Sequence, residues 1–120
     1  MNEQNKSRFA SALKLQDAGQ LESAMEIAVD LIQKEPNSLP VLALIGDLYW
    51  KLGQLQEAVD VFKRAVELAP SREGFSLGLF HCLWELGKRV EALEEVKRFQ
   101  SISDSEDYRR IVNEINQKRE

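Results

Sequence analysis

Glycine recurs at a constant interval, at positions 19, 53 and 87, and this period constrains the fold more than any other feature of the sequence. An alanine that follows each glycine keeps the same interval, and so do two prolines further along the chain. Three series with one period indicate an internal repeat, which decides the architecture before any local pattern is considered. The series are Gly19, Gly53 and Gly87, then Ala24, Ala58 and Ala92, then Pro36, Pro70 and Asp104, where only the last departs.

Each of these glycines lies between two amphipathic segments. Apolar residues recur every three or four positions in all six segments, which places them on one stripe of a helix. The glycine supplies the left-handed residue that ends the first helix of each pair, and Pro36 and Pro70 end the second. The sequence therefore predicts an all-α fold, an α-solenoid of three helix hairpins at about 5–38, 39–72 and 73–106.

The middle unit carries a specific motif. Its residues match the spacings W-x2-L-G-x2-Y, A-x3-F and P of the tetratricopeptide repeat, and residues 39–72 resemble that family. In register, the outer units extend the resemblance over about 100 of the 120 residues. The resemblance implies a right-handed superhelix with a concave inner face. The matching residues are Leu42 and Ile45, which replace the usual Trp and Leu, with Gly46, Tyr49, Gly53, Ala58, Phe62, Ala65 and Pro70.

Both ends of the array are also predicted. Ser7 and Lys14 are polar where the later units have apolar residues that pack on a preceding unit, so the array is expected to begin near residue 5. Ser103-x-x-Glu106 is typical of a capping box that opens a last helix at about 104–118. Its narrow apolar stripe is that of a polar capping helix, and we expect a complete single domain over 1–120. The stripe is Tyr108, Ile111, Val112 and Ile115.

Composition excludes several classes of function. The 16 basic and 20 acidic residues give a net charge of -4, and no basic run is longer than a pair such as Arg109-Arg110, so nucleic-acid binding is not expected. No segment is apolar enough for membrane insertion, and no cleavable leader is evident, which predicts a cytoplasmic protein. The single cysteine, Cys82, excludes an internal disulfide.

Trp50 and Trp84 raise the question of a binding site. Trp50 lies beside Tyr49 on one helix but off the stripe that faces the second helix, and Trp84 follows it by one period. By resemblance, this side lines the concave groove, where the two rings are expected to stand as neighbours in a ladder. The alternative is that both rings fold onto neighbouring helices and complete the core. The predicted partner-binding residues are Phe9, Leu13, Gln16, Ala43, Asp47, Trp50, Lys51, Leu77, His81, Trp84 and Glu85.

Other chemistry is set aside. His81 and Cys82 are adjacent, point apart on a helix and have no second histidine or cysteine, so neither a catalytic nor a metal site is predicted, and no cofactor. Gly74 and Gly78 are interpreted as allowing Phe80 and the neighbouring helix to pack closely, or as loosening the third unit. The acidic residues of the sixth helix are interpreted as solvated surface; they are Glu91, Glu94 and Glu95.

The predicted function is a non-enzymatic scaffold that binds another protein or peptide in its groove, as an adaptor, assembly factor or chaperone does. Some family members grip a terminal carboxylate, but the corresponding positions lack the required cations and amides, which favours an apolar or amphipathic segment. Two alternatives stay open: an inhibitor or immunity-type protein that masks one folded target, and a homo-oligomer that uses the same apolar face. The carboxylate positions are Phe9, Leu13, Leu44, Gly74 and Gly78.

Overall fold

The computed structural model describes residues 1–118, which form seven α-helices and no strand. The helices follow one another as antiparallel hairpins, and the stack measures 51 × 27 × 20 Å. The predicted all-α class, with three hairpins and a last helix, is confirmed. The helices are α1 (Glu3–Asp17), α2 (Leu21–Lys34), α3 (Leu39–Lys51), α4 (Leu55–Leu68), α5 (Glu73–Glu85), α6 (Arg89–Gln100) and α7 (Glu106–Lys118).

The glycine turns make the hairpins. Gly53 has a φ of +77°, a region that side chains with a Cβ rarely adopt, and its amide donates to the carbonyl of Trp50 at 3.0 Å. The next amide, of Gln54, donates to the carbonyl of Tyr49 at 2.8 Å. These bonds satisfy the last carbonyls of α3 and turn the chain into α4. Gly19 and Gly87 repeat the turn at φ +79°.

Apolar residues at the predicted positions hold neighbouring pairs together. Val41 and Leu48 on α3 are fully buried beside the first pair, and Cys82 is buried at the matching place on α5. In contrast, Ser7 and Lys14 on α1 are exposed, because nothing stacks on that side of the first pair within residues 1–118.

Two arginines that lie one period apart tie each pair to the turn before it. The Arg64 guanidinium on α4 donates to the Pro36 carbonyl at 3.3 Å and to Asn37 Oδ1 at 2.6 Å. Arg98 on α6 donates to the Pro70 carbonyl at 3.0 Å. The same contact thus recurs at both junctions, and it fixes the second helix of one pair against the end of the previous pair.

The last helix begins at Glu106, and the predicted cap at Ser103 is wrong. The Ser105 hydroxyl accepts the Tyr108 amide at 3.0 Å, which is the bond that an N-cap residue makes in the first turn. The same hydroxyl donates to the Glu73 carboxylate on α5. Ser105 is therefore the better cap, because this contact with α5 is one that the exposed Ser103 does not make.

Glu95 is not the solvated residue that the sequence predicted. It is 7% exposed, and its carboxylate accepts hydrogen bonds from Ser76 Oγ at 2.6 Å and from the Arg98 guanidinium at 2.8 and 2.6 Å. The Tyr108 hydroxyl completes the cluster, at 2.6 Å from Ser76 Oγ. A buried carboxylate needs such partners, and here they join α5, α6 and α7. The hydrogen bonds to Glu95 also raise the pKa of Arg98.

Among residues 1–118, no helix combines the length and the apolar character that a membrane crossing requires.

Candidate protein-binding groove

A pocket of about 540 Å³ opens between α3 and α5 on the predicted inner face. Helix α3 contributes a tryptophan and a carboxylate, helix α5 contributes two glycines and a histidine, and aromatic rings form the floor. Such a mixture of apolar walls and few polar groups is typical of a ligand pocket. The lining residues are Ala43, Asp47, Trp50, Phe62, Arg72, Gly74, Phe75, Gly78 and His81.

The pocket is open because Gly74 has no side chain. A Cβ at this position would meet no atom within 4 Å, so the space above it is free. Gly78 has a different role, since a Cβ there would come within 2.8 Å of the Phe62 ring. Gly78 thus lets the neighbouring helix α4 pack closely, as the sequence suggested, but the ring it admits is Phe62 rather than Phe80.

Trp50 stands at the rim of this pocket. Its side chain is 42% exposed, and its Nε1 donates to Glu85 Oε1 on α5 at 3.4 Å. A long hydrogen bond between exposed groups holds a side chain weakly. The indole is therefore partly exposed at the rim of the pocket and is not folded into the core.

Asp47 gives the pocket its polar wall. The surrounding protein shields its carboxylate in part from water and raises its pKa, while the nearby ammonium of Lys51 opposes this shift. His81 lines the same pocket from α5 and is exposed. Asp47 and His81 thus place a carboxylate and an imidazole on opposite walls of the pocket.

Trp84 does not line the pocket that contains Trp50, so the two rings do not share one site. Its ring stacks on Phe80 with centroids 5.7 Å apart, and the Arg89 guanidinium of α6 lies 4.7 Å from its centroid. It lines a second pocket, of about 570 Å³, between α5, α6 and α7. The third pair has Phe80 at the position where the middle pair has Gly46. Because the Trp84 indole stacks on this ring, it lies on the side that faces α7.

The remaining predicted residues are dispersed. Phe9 is half-buried and Leu13 is 38% exposed on α1, and neither lines the pocket at α3 and α5. Gln16 on the same helix has a buried Nε2 with no hydrogen-bond partner among residues 1–118. Leu77 faces α7, in a shallow cleft shared with Asp107. The structure thus brings together Ala43, Asp47, Trp50 and His81, with Lys51 and Glu85 beside them.

The one cysteine is a packing residue. Cys82 is 1% exposed, and burial raises the pKa of its thiol to about 11, with the carboxylates of Glu85 and Asp47 adding to the shift. A protonated, buried thiol is a poor nucleophile and a poor metal ligand. No group of histidine, cysteine and acidic residues suited to a metal ion is found in residues 1–118.

A model of the tetratricopeptide repeat family matches residues 39–72. The middle pair is a tetratricopeptide repeat. Its match covers α3 and α4, the helices that carry Trp50 and the pocket floor at Phe62. No curated protein sequence matches the chain.

Solved structures share the fold of the whole stack. The secretion chaperone SycD of Yersinia enterocolitica, in complex with a peptide of the translocator YopD, is 14% identical with a TM-score of 0.81 over 98% of this chain and 90% of its own. MamA residues 41 to the end, from Desulfovibrio magneticus RS-1, are 22% identical with a TM-score of 0.77 over 84% of this chain. The chain spans 57% of the length of that MamA chain. At these identities the likeness establishes the fold alone.

Sequence reasoning missed two parts of the tetratricopeptide groove. The floor residue Phe62 was assigned to the motif but not to the site, and Arg72 at the edge was not considered. The spacing of Gly74 and Gly78 on one helix face was the available signal, since a glycine can leave open space, as at Gly74, or admit a ring from a neighbouring helix, as at Gly78. Leu44, in contrast, was assigned to the inner face by resemblance but does not line the pocket. It is 3% exposed and packs between the first two pairs.

Proposed function

We propose that this protein is a non-catalytic scaffold that binds a segment of another protein in the pocket between α3 and α5. One observation carries the proposal: the exposed Trp50 indole borders an apolar notch that Gly74 leaves open, in a pocket that the Phe62 ring also lines. Exposed apolar surface of this kind marks binding sites, and tryptophan dominates many interface energies. The cytoplasmic location expected from the sequence belongs to the same proposal.

The chemistry of the pocket favours an apolar anchor residue on the ligand. The notch has an aromatic floor, and its polar groups are Asp47 on one wall and Arg72 and His81 on the other. Because both signs of charge are present, the rim suits an amphipathic segment better than a strongly charged tail. SycD, whose fold is similar, was solved with a bound peptide, which supports this class of function.

A displayed library of random peptides, selected on the wild-type protein, provides the test. Enriched peptides are synthesised, and their affinities are measured by fluorescence anisotropy. Trp50→Ala is expected to weaken binding by roughly thirtyfold, the effect of losing a hot-spot side chain. Gly74→Leu is expected to abolish binding, because the new side chain occupies the notch without meeting another atom at its Cβ.

Leu68→Ala is the matched control, since Leu68 on α4 is 42% exposed, like Trp50, but does not line the pocket. Its affinity for the peptides should equal that of the wild type. Peptides that bind all four proteins equally, or a selection that enriches no peptide, would contradict the proposal. In the second case a folded target, as for an inhibitor, becomes the hypothesis to pursue.

A further inference from the structure

The two ends of the helical stack differ in polarity. At the first end, the exposed residues Ser7 and Lys14 stand where later pairs have the buried Val41 and Leu48. An end of this kind is polar, as a solenoid in water requires. At the other end, Val90 is 73% exposed and Leu93 is 40% exposed on α6.

Leu93 occupies a position that the stack normally covers. Its equivalent one period earlier is Val59 on α4, which is fully buried. The next pair, which begins with α5, provides that cover. Only α7 follows Leu93 within residues 1–118, and this single helix leaves Leu93 partly in solvent.

The helix α7 corresponds to the first helix of a further pair. Its apolar stripe follows that of α5 by one position less than a full period, and Tyr108 at its start is fully buried, while the matching Phe75 is nearly so. Beyond Tyr108 the stripe is only half-buried, whereas the matching residues Leu79 and Cys82 are buried. Hence α7 is anchored at its first turn and incompletely packed afterwards. Its half-buried residues are Ile111, Val112 and Ile115.

The incomplete packing leaves the pocket of about 570 Å³ that contains Trp84. Leu93, Ile111 and Ile115 form its apolar walls, and Val90 lies one turn from Leu93 at the same end of the stack. This is a contiguous apolar surface at the end of a helical array. Such surfaces are usually covered by another protein surface.

The charges around this surface are of both signs. Arg89 and Lys118 line the pocket together with Glu114, and within residues 1–118 neither Arg89 nor Glu114 has an ion-pair partner. A twofold contact joins the same patch of two copies, and a patch that holds both Glu114 and the cations Arg89 and Lys118 can form ion pairs with its own copy. A surface of one sign would repel its own copy; this one complements it.

We propose that two copies of this chain pair end to end through the α6 and α7 surface, with Val90, Leu93 and Ile115 at its centre. His81 lines both this pocket and the one that contains Trp50, but Val90, Leu93 and Ile115 do not line the Trp50 pocket. A dimer centred on these three residues therefore leaves the side of the groove formed by Trp50 and Asp47 uncovered. Occupation by a second copy covers Leu93 as α5 covers Val59.

Sedimentation equilibrium over low to high micromolar concentrations tests this pairing. The wild type is expected to pass from monomer to dimer, and Leu93→Asp is expected to raise the dimer dissociation constant roughly a hundredfold, because a twofold contact contains the substitution twice. Val90→Glu should act in the same direction, and at 73% exposure it does not disturb the fold. Leu68→Asp, on an exposed leucine outside this surface, should behave as the wild type.

A wild type that stays monomeric at every concentration would overturn the proposal. A dimer that survives both Leu93→Asp and Val90→Glu would also overturn it, and loss of that dimer in Trp50→Ala would place the contact in the groove. Peptide binding by Leu93→Asp at wild-type affinity is expected in either case, which keeps this test independent of the proposed function.

Discussion

The second and third helix pairs differ in which helix supplies the large residue at one equivalent pair of packing positions. In the second pair, the first helix has Gly46 and the second has Phe62; one period later, the equivalent residues are Phe80 and Val96. The ring therefore comes from α4 in one pair and from α5 in the next. Both rings are buried, at 4% and 3% exposure.

This difference decides what each tryptophan does. With glycine at 46, nothing on α3 draws the Trp50 ring inwards, and it stays at the rim of the groove. In the third pair, Phe80 stacks on Trp84 and also contacts the Tyr108 ring at 5.8 Å, so Trp84 is turned towards α7. Residues at one repeat position thus acquire different surroundings through a neighbour one turn away.

Phe62→Ala has the largest expected effect on this comparison. The ring lies between Gly46 and Gly78, and neither glycine has a side chain that can fill the space it leaves. We expect the free energy of unfolding to fall by about 3–5 kcal/mol, as measured by urea denaturation. Val96→Ala, at the equivalent place in the third pair, should cost clearly less, because Phe80 supplies the bulk there. Equal losses would show that the two pairs do not differ in this way.

Substitution of the two tryptophans is expected to have smaller effects on the free energy of unfolding, and different effects for the two residues. Trp84→Ala removes the stacking on Phe80 and the contact with Arg89, and we expect a loss of about 2 kcal/mol in unfolding free energy. Trp50→Ala removes one long hydrogen bond to Glu85 and is expected to stay within about 0.5 kcal/mol of the wild type. The same denaturation experiment measures both, and a larger loss for Trp50→Ala would place its ring in the core.

The fold was predictable from the sequence because it rests on local, periodic features. The three glycines adopt the left-handed conformation that hairpin turns require, and apolar spacing placed the helices. The orientation of the Trp84 side chain was not predictable. Its position in the repeat says where its backbone lies, but not that Phe80 and Arg89 both contact its ring.

Polar contacts between distant segments were also beyond the sequence. Ser103 and Ser105 are both acceptable caps by spacing, and only the contact of Ser105 with Glu73 on α5 distinguishes them. Glu95 follows the same sequence pattern as its exposed neighbours, but it is buried, and its carboxylate accepts a hydrogen bond from Ser76 of α5. In each case a contact with a residue on another helix determines the cap or the burial, and the local sequence pattern contains no sign of that contact.

Substitutions of the two glycines of α5 are expected to change the free energy of unfolding least, but they distinguish core from groove most directly. Gly78→Ala brings a Cβ within 2.8 Å of Phe62. On its other side the ring already fills the place that a Cβ of residue 46 would take, at 2.6 Å, so it has little room to move towards α3. The gain in helix propensity offsets part of the overpacking, so we expect a net loss of about 1 kcal/mol.

Gly74→Ala is the matched change in open space and is expected to raise the free energy of unfolding by about 0.5 kcal/mol, since it improves helix propensity in the first turn and meets no atom. Opposite signs for two identical substitutions one turn apart, measured by urea denaturation, would locate the boundary between core and groove on α5. If both destabilise the protein, the space above Gly74 is filled by a neighbouring side chain, and the groove between α3 and α5 loses its notch. If both stabilise it, the Phe62 ring has freedom to move, and the tight packing that separates the second pair from the third is absent.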